Sequence, residues 1–317
     1  MPSISVIIPA YNAEKFIGEA IESALNQTRP AQEVIVVDDA STDRTVEIAR
    51  SFGDRVTVLV NAVNSGPGHS RNAGVAASTG DYLAFLDADD IWLPAHLEDL
   101  AGLLDKWPEA GFACCGLQQF GKQTASWVQY PECQYHPANI YAQVMRRDAL
   151  FPSSAIVRRT VFNGIGGFDE ITKIIRSRRI QVEDYDFFLR LSAETNCVSC
   201  SLCSTLYRVH EDQASILRLE QTLLAFLYRK RHISQNRNSE MKSELARIGL
   251  DQMRHAWDGH LREAWQTNNQ KKLRAMLWWG IRQPDLVRSC CYYIPRAMLP
   301  QWGIRAGKWL LRKEGRK

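Results

Sequence analysis

Nowhere in the 317 residues does an apolar run reach the roughly 18 residues that a membrane-spanning helix needs. The first residues, MPSISVIIPAYNAEKF, lack a basic stretch leading into a long apolar one, so they do not read as a secretory signal. The chain is therefore expected in the cytoplasm. Neither the G-x-G-x-x-G dinucleotide fingerprint nor a P-loop ending in Lys-Ser/Thr is present, which argues against a dehydrogenase or a P-loop NTPase. No internal repeat and no low-complexity segment occurs. Eight cysteines are present, Cys114, Cys115, Cys133, Cys197, Cys200, Cys203, Cys290 and Cys291, and without an export signal they are expected as reduced thiols. Cys197, Cys200 and Cys203 invite a zinc reading. In a strand, however, that spacing turns Cys200 away from the other two, and no fourth ligand stands nearby. Small buried core residues are the better reading.

What is present suits a globular protein with a sizeable core: 45% hydrophobic and 23% charged residues, long enough for one large domain plus an accessory region. The net charge of +4 is uneven. Residues 271–317 carry 12 Lys/Arg against 2 Asp/Glu, and the rest carries 27 against 33. A basic end on an acidic body suggests an attachment surface and no nucleic-acid partner along the chain.

The first ninety residues alternate strand and helix patterns. Ile4, Val6 and Ile8 alternate with other residues until Pro9 stops the run. Phe16, Ile17, Ala20, Ile21, Ala24 and Leu25 recur at helical spacing within 13–27. EVIVV at 33–37 reads as a strand buried on both faces. Ser41 or Thr42 is placed to cap the next helix, with Asp43 in its first turn. RVTVLV at 55–60 and DYLAFL at 81–86 are the third and fourth strands, with a short helix over 69–78 between them. Further on, Gly164-Ile165-Gly166-Gly167 reads as a loop, VEDYDFFLRL at 182–191 as a helix and 202–209 as a strand. Long helices follow from Ile216. This alternation predicts an α/β fold with a mostly parallel sheet between helices, followed by a helical C-terminal region. In such sheets the ligand crevice lies beyond the carboxyl ends of the strands. Polar clusters fall at all four of those ends: Tyr11-Asn12, Asp38-Asp39, 64–71 and 87–90.

Each cluster has a chemical and a plain reading. In an extended segment Asp87 and Asp89 point to one side, about 6–7 Å apart, and two such carboxylates can hold Mg²⁺ or Mn²⁺ shared with a substrate's phosphates. A polar turn ending a strand would look the same. One carboxylate of Asp38-Asp39 can accept a bond from a base N–H or a ribose hydroxyl, or the pair can simply lead into the next helix. The glycine-containing loop 64–71 enters a helix, where backbone N–H groups and Arg71 can meet an anion.

Taken together, Pro9-Ala10-Tyr11-Asn12, 37–43 (VDDASTD), 68–74 (GHSRNAG) and 85–90 (FLDADD) resemble the nucleotide-binding half of glycosyltransferase family 2. Gly166-Gly167-Phe168-Asp169-Glu170, Glu183-Asp184-Tyr185-Asp186 and Tyr207-Arg208-Val209-His210 continue the likeness in order over residues 3–215. The resemblance implies the GT-A fold and an inverting sugar transfer from a nucleoside diphosphate sugar, with a nucleotide-binding half at 1–95, an acceptor half at 96–215 and a helical region at 216–317. It implies that Tyr11 flanks the base, with Pro9 and Asn12 beside it, and that Asp39 bonds the base N–H. Arg71 would meet the nucleotide, and Asp87 and Ala88 the ribose or metal-bound water. Asp89 and His210 would ligate Mg²⁺ or Mn²⁺, and Asp184 would be the catalytic base. Its acidic neighbours Glu183 and Asp186 are placed to raise its pKa. Ser153-Ser154 lie where the family often faces the acceptor.

The family's processive polysaccharide synthases carry a Gln-x-x-Arg-Trp motif and membrane spans, and this sequence has neither. Transfer of one sugar, with UDP as the first choice of nucleotide, to a glycan or lipid-linked acceptor in surface polysaccharide, glycolipid or glycan assembly is the expectation. The other readings are a sugar nucleotidyltransferase, whose glycine-rich basic N-terminal loop is missing here, and a scaffold that only binds nucleotide. Six of the nine tryptophans lie at 257 and beyond. On a helix from Trp302, the residues Trp302, Ala306, Trp309 and Leu310 share one face, and Arg305, Lys308 and Arg312 another. That pattern suits peripheral binding to the inner face of an anionic membrane, or docking on the chain's own domain with a basic outer face.

Overall fold

A computed structural model describes residues 1–121, 137–146, 150–170, 173–175, 178–180, 182–200 and 202–210, with 257, 258, 261, 262, 264 and 276. The chain divides into two compact units, Met1–Tyr228 and Arg229–Lys317.

In the first unit the strands are β1 (Ile4–Ala10), β2 (Glu33–Asp38), β3 (Thr57–Val60), β4 (Tyr82–Phe85), β5 (Ile91–Trp92), β6 (Ala110–Cys114), β7 (Leu117–Gly121), β8 (Ala155–Arg158), β9 (Lys173–Ile175), β10 (Arg178–Ile180), β11 (Asn196–Ser199) and β12 (Thr205–Val209). The helices are α1 (Ile17–Leu25), α2 (Thr45–Arg50), α3 (Pro67–Ala77), α4 (His96–Lys106), α5 (Tyr141–Arg146), α6 (Arg159–Ile165) and α7 (Glu183–Glu194). Seven strands form the main sheet in the order β11-β6-β8-β4-β1-β2-β3. Only β8 runs antiparallel to its neighbours, so the sheet is mostly parallel, as the alternation predicts. Among the described residues a smaller sheet, β5-β12-β7, and the antiparallel pair β9-β10 accompany it.

Alternate residues of the strands face two cores. Ile4, Val6, Ile8, Val34, Val36, Tyr82 and Ala84 pack with the buried faces of α1 and α4. On the other side Phe85 meets Phe162 of α6, Phe187 of α7 and Phe168 in an aromatic cluster, while Ile7 and Val37 lie under Gly74 of α3. In the second unit Trp257, Leu261 and Ala264 are helical and buried at the i, i+4, i+7 spacing of one helix face.

Several expectations give way to the structure. Pro9 does not stop β1; it pairs with Val37 inside it. The Ile7 carbonyl accepts from Leu86 on the β4 side and the Ala10 carbonyl from Asp39 on the β2 side, so Pro9 faces the β4 side, beyond the last β1–β4 pair. Its missing N–H therefore has no ladder partner to lose. Ser41 and Thr42 do not cap α2. The N-cap position is Arg44, without a side-chain cap; Asp43 just before it accepts from the Thr45 N–H (3.0 Å) and hydroxyl (2.5 Å), while the Ser41 hydroxyl accepts from the Asn12 N–H at 2.9 Å. Gly164 and Ile165 are the last turn of α6, which ends on Gly166 in the left-handed region at φ 79°. Residues 202–204 precede β12 instead of belonging to it. Of the described cysteines, Cys114, Cys115, Cys197 and Cys200 are buried and Cys203 is half-buried. The helices expected from Ile216, the Trp302 helix, Cys133, Cys290 and Cys291 lie outside the described residues.

Candidate active site

The order of the parallel strands reverses at β1: β2 and β3 follow on one side, and β4 returns on the other. The loops after β1 and β4 therefore part there and leave a crevice, the place where such sheets bind ligands. Tyr11 stands at this edge with 52% of its surface exposed, unusual for a ring so close to the core. Asn12 next to it adopts φ 50°, which asparagine tolerates, and its side-chain oxygen accepts from the Thr42 N–H at 2.9 Å. The β1 and β2 ends are thus stapled together. Pro9, by contrast, is buried within β1.

Asp39 is 3% exposed, and three donors already hold its carboxylate: the Asn61 amide (2.9 Å) and the backbone N–H groups of Ser65 (2.8 Å) and Gly66 (2.7 Å). It anchors the loop that enters α3. A carboxylate offers about four acceptor positions, so one remains for a further donor.

Asp87 and Asp89 do not lie in an extended segment. Residues 87–90 form a turn closed by the Asp90 N–H on the Asp87 carbonyl at 3.0 Å, and the two side chains part. Asp87 turns to Arg71 (2.7 Å) and Asp89 to His210 Nε2 (3.0 Å). Ala88 between them puts its methyl into the core, which leaves only its backbone for a ligand.

Arg71 is the centre of the crevice floor. It comes from α3, is 4% exposed and lies with its guanidinium 5.1 Å from the Phe168 ring. One nitrogen donates to Asp87 and another to Glu183 Oε1 at 2.9 Å. Burial works against its charge, but Asp87, Glu183 and Asp184 outweigh burial and raise its pKa. The rest of the GHSRNAG segment docks the loop before α7. Asn72 donates to the Phe168 carbonyl (2.9 Å) and accepts from the Phe168 N–H (2.9 Å), and His69 meets Glu170 at 3.0 Å. Gly68 leaves room for the Asp169 carbonyl and Glu183, both 3.0 Å from where a Cβ would stand. Those contacts bring the first turn of α7, with Glu183 and Asp184, to the strand ends.

Asp184 is partly exposed, and burial together with the Glu183 charge pushes its carboxyl up to about 7, against the pull of Arg71 and the Tyr185 N–H. Asp186 is buried and bound to Arg190 at 2.7 Å, one turn along α7. Asp89 is raised by burial and by Asp87, with His210 opposing. The ring of His210 packs on Phe16 at 4.7 Å, and its Nδ1 is buried and meets no hydrogen-bond partner among the described residues.

Ser153 and Ser154 are buried, 0% and 2% exposed. Ser153 sits beneath the acidic turn. Its hydroxyl accepts from the Asp87 N–H (3.0 Å) and donates to Asp90 (2.6 Å), and its carbonyl accepts from Trp92 Nε1 and Thr205. Sequence reasoning passed over Asp90, Arg208 and this use of Ser153. They are polar residues far apart in the chain, and no local spacing announces that they converge.

A mostly parallel seven-strand sheet flanked by helices matches GT-A glycosyltransferase structures. The chain aligns with the structure of Staphylococcus aureus TarS 1-349 in complex with UDP-GlcNAc at a TM-score of 0.68, 20% identity, 87% of this chain and 79% of that one. It also aligns with the mannosyltransferase PcManGT from Pyrobaculum calidifontis in complex with GDP-Man and Mn²⁺, at 0.61, 18%, 98% and 80%. An uncharacterized glycosyltransferase of Rickettsia typhi is 28% identical over 224 residues, 69% of this chain and 68% of that one. The sequence profile of Glycosyl transferase family 2 matches residues 5–166, just over half of the chain, and the protein belongs to that family.

Proposed function

We propose that the protein moves one sugar from a nucleoside diphosphate sugar to an acceptor hydroxyl with inversion, and that Asp184 is the general base. The observation that carries this reading is the Arg71 bridge, which ties the acidic turn after β4 to the first turn of α7 and so sets Asp184 beside the crevice. A carboxyl near 7 keeps a proton affinity useful for drawing the proton from an attacking hydroxyl. The acceptor oxygen then bonds to the anomeric carbon, the bond from that carbon to the diphosphate oxygen breaks, and the nucleoside diphosphate leaves. Exposed Tyr11 offers a flat face to the base, and the remaining acceptor position of Asp39 a place for its N–H. Uracil is the first choice, in keeping with the UDP-GlcNAc held by TarS; PcManGT holds GDP-Man.

The donor set fits a divalent cation. Asp89 supplies a carboxylate oxygen and His210 an imidazole nitrogen 3.0 Å apart, in surroundings acidic enough to raise Asp89. Among the described residues no three Asp, Glu, His or Cys side chains are placed to hold a metal ion together, so the other ligands would be diphosphate oxygens and water. Bound Mg²⁺ or Mn²⁺ would offset the charge that grows on the departing diphosphate.

Residues 1–215 form the catalytic part in this reading, acting in surface polysaccharide, glycolipid or glycan assembly, and the basic region from 216 serves attachment to a membrane carrying a lipid-linked acceptor. Among the described residues no helix is long and apolar enough to cross a membrane. Deleting residues 301–317 should abolish binding to anionic liposomes; unchanged binding overturns the attachment role.

A thermal-shift titration with UDP, dTDP, GDP and CMP, each with and without Mn²⁺, tests the donor site. At about a hundredfold the dissociation constant, a ligand adds roughly 2.7 kcal/mol of stability. A Mn²⁺-dependent shift with one diphosphate is expected, and a folded sample that shifts with none of them refutes the reading. Asp184→Asn should then lower turnover by about 10²–10⁴-fold while leaving that shift in place.

A further inference from the structure

Asp90 is a carboxylate with 1% of its surface exposed, in a turn whose neighbours Asp87 and Asp89 already crowd it with charge. Burying a charge is unfavourable unless it is well bonded. Its bonds reach two elements that the sequence keeps far apart. Oδ2 accepts from the Ser153 hydroxyl at 2.6 Å, just before β8, and Oδ1 accepts from the Arg208 N–H at 3.1 Å, in β12. Each bond continues to a residue of the crevice. The Ser153 hydroxyl in turn accepts from the Asp87 N–H, which sets the carboxylate that pairs with Arg71. Arg208 sends Nε to the Asp89 carbonyl at 2.9 Å and lies between the Phe16 and Phe120 rings, 4.8 and 4.4 Å from their centroids. Its other end holds Glu19 at 2.6 Å. Two residues further along, His210 packs on the same Phe16 and meets Asp89.

Neither oxygen of Asp90 is turned to the crevice, and each meets a group that fixes one of the residues there. We infer that Asp90, with Ser153 and Arg208, is a positioning residue that holds the Asp89 and His210 donor atoms in register for a divalent cation. This rests on the cation site proposed above. Partners behind metal ligands of this kind typically change metal affinity by about 10–100-fold when removed.

The test measures Mn²⁺ affinity directly, from the electron paramagnetic resonance signal of free Mn²⁺, in the presence of UDP, or of whichever diphosphate shifts the unaltered chain. Asp90→Asn keeps the volume of the side chain but replaces one acceptor by a donor. It is expected to weaken Mn²⁺ binding at least tenfold, with metal-free nucleotide binding within about twofold of the unaltered chain. Should that variant fail to fold, Ser153→Ala removes the hydroxyl linking Asp90 to Asp87 and is expected to act in the same direction. Arg208→Lys keeps the backbone N–H on Asp90 and the charge but loses the planar stack, and should fall between the two. Mn²⁺ affinity unchanged within twofold in folded variants, with only thermal stability lowered, shows a merely structural role and overturns the inference while leaving the cation site standing. Absence of Mn²⁺ binding by the unaltered chain overturns both.

Discussion

Asp184 carries a carboxyl whose ordinary value is 3.8 and which the fold raises to about 7, burial and Glu183 being the main causes. A group raised on folding binds a proton that the unfolded chain has already released. Its stabilising contribution is therefore full below about pH 4 and is lost as the pH rises through 7. Two consequences separate the catalytic from the structural side. Turnover should rise with pH along a limb near 7, as the base deprotonates, and that limb should vanish in the residual activity of Asp184→Asn. In calorimetry Asp184→Asn should gain thermal stability over the unaltered chain at pH 8 but little at pH 4. A difference that does not grow with pH would mean the carboxyl is not perturbed. Arg71 shows the opposite balance. Its charge is buried against Asp87 and Glu183, and removing one partner of a buried pair leaves the others uncompensated. Arg71→Ala should therefore lose about 3–5 kcal/mol in urea unfolding. Loss below 1 kcal/mol would show that solvent reaches those carboxylates.

At the scale of elements, the position of α3 decides the site, because that helix delivers Arg71, His69 and Asn72 together. Its fit on the sheet depends on Gly74, where a Cβ would stand 2.5 Å from Ile7 Cγ2 and 3.2 Å from Val37 Cγ2. Alanine is the better helix former by roughly 1 kcal/mol. Overpacking against β1 and β2 typically costs about 1–3 kcal/mol and should win. Gly74→Ala is expected to be destabilised in chemical denaturation and to weaken nucleotide binding as α3 is pushed off the sheet. Stabilisation would show that α3 shifts without disturbing Arg71. These elements were largely legible in advance, since β-branched runs and helical spacing are local signals. The misreadings at Pro9 and at the α2 cap both arose where a tertiary partner decides: the last β1–β4 pair in one case and Asn12 taking Ser41 in the other.

For the whole molecule, the cluster packed against α1 and α4 is built, among the described residues, from Ile4 to Cys200 of the first unit. A chain cut after Tyr228 is therefore expected to keep one cooperative unfolding transition by circular dichroism and the Mn²⁺-dependent nucleotide shift. Loss of cooperativity would show that residues from Arg229 onward are needed to complete that core. The sequence by itself determined the order of strands and helices, the mostly parallel sheet and the strand ends where chemistry gathers, because each follows from local periodicity and from the rule that ligands meet such sheets beyond their carboxyl ends. Only the tertiary structure decided how those ends are wired. Asp87 faces Arg71 and not Asp89, Ser153 lies beneath the acidic turn, and Asp90 is buried as the link to β12. Each depends on which side chains approach from elements tens of residues to over a hundred away, where burial makes a charge seek the nearest donor whatever its place in the chain.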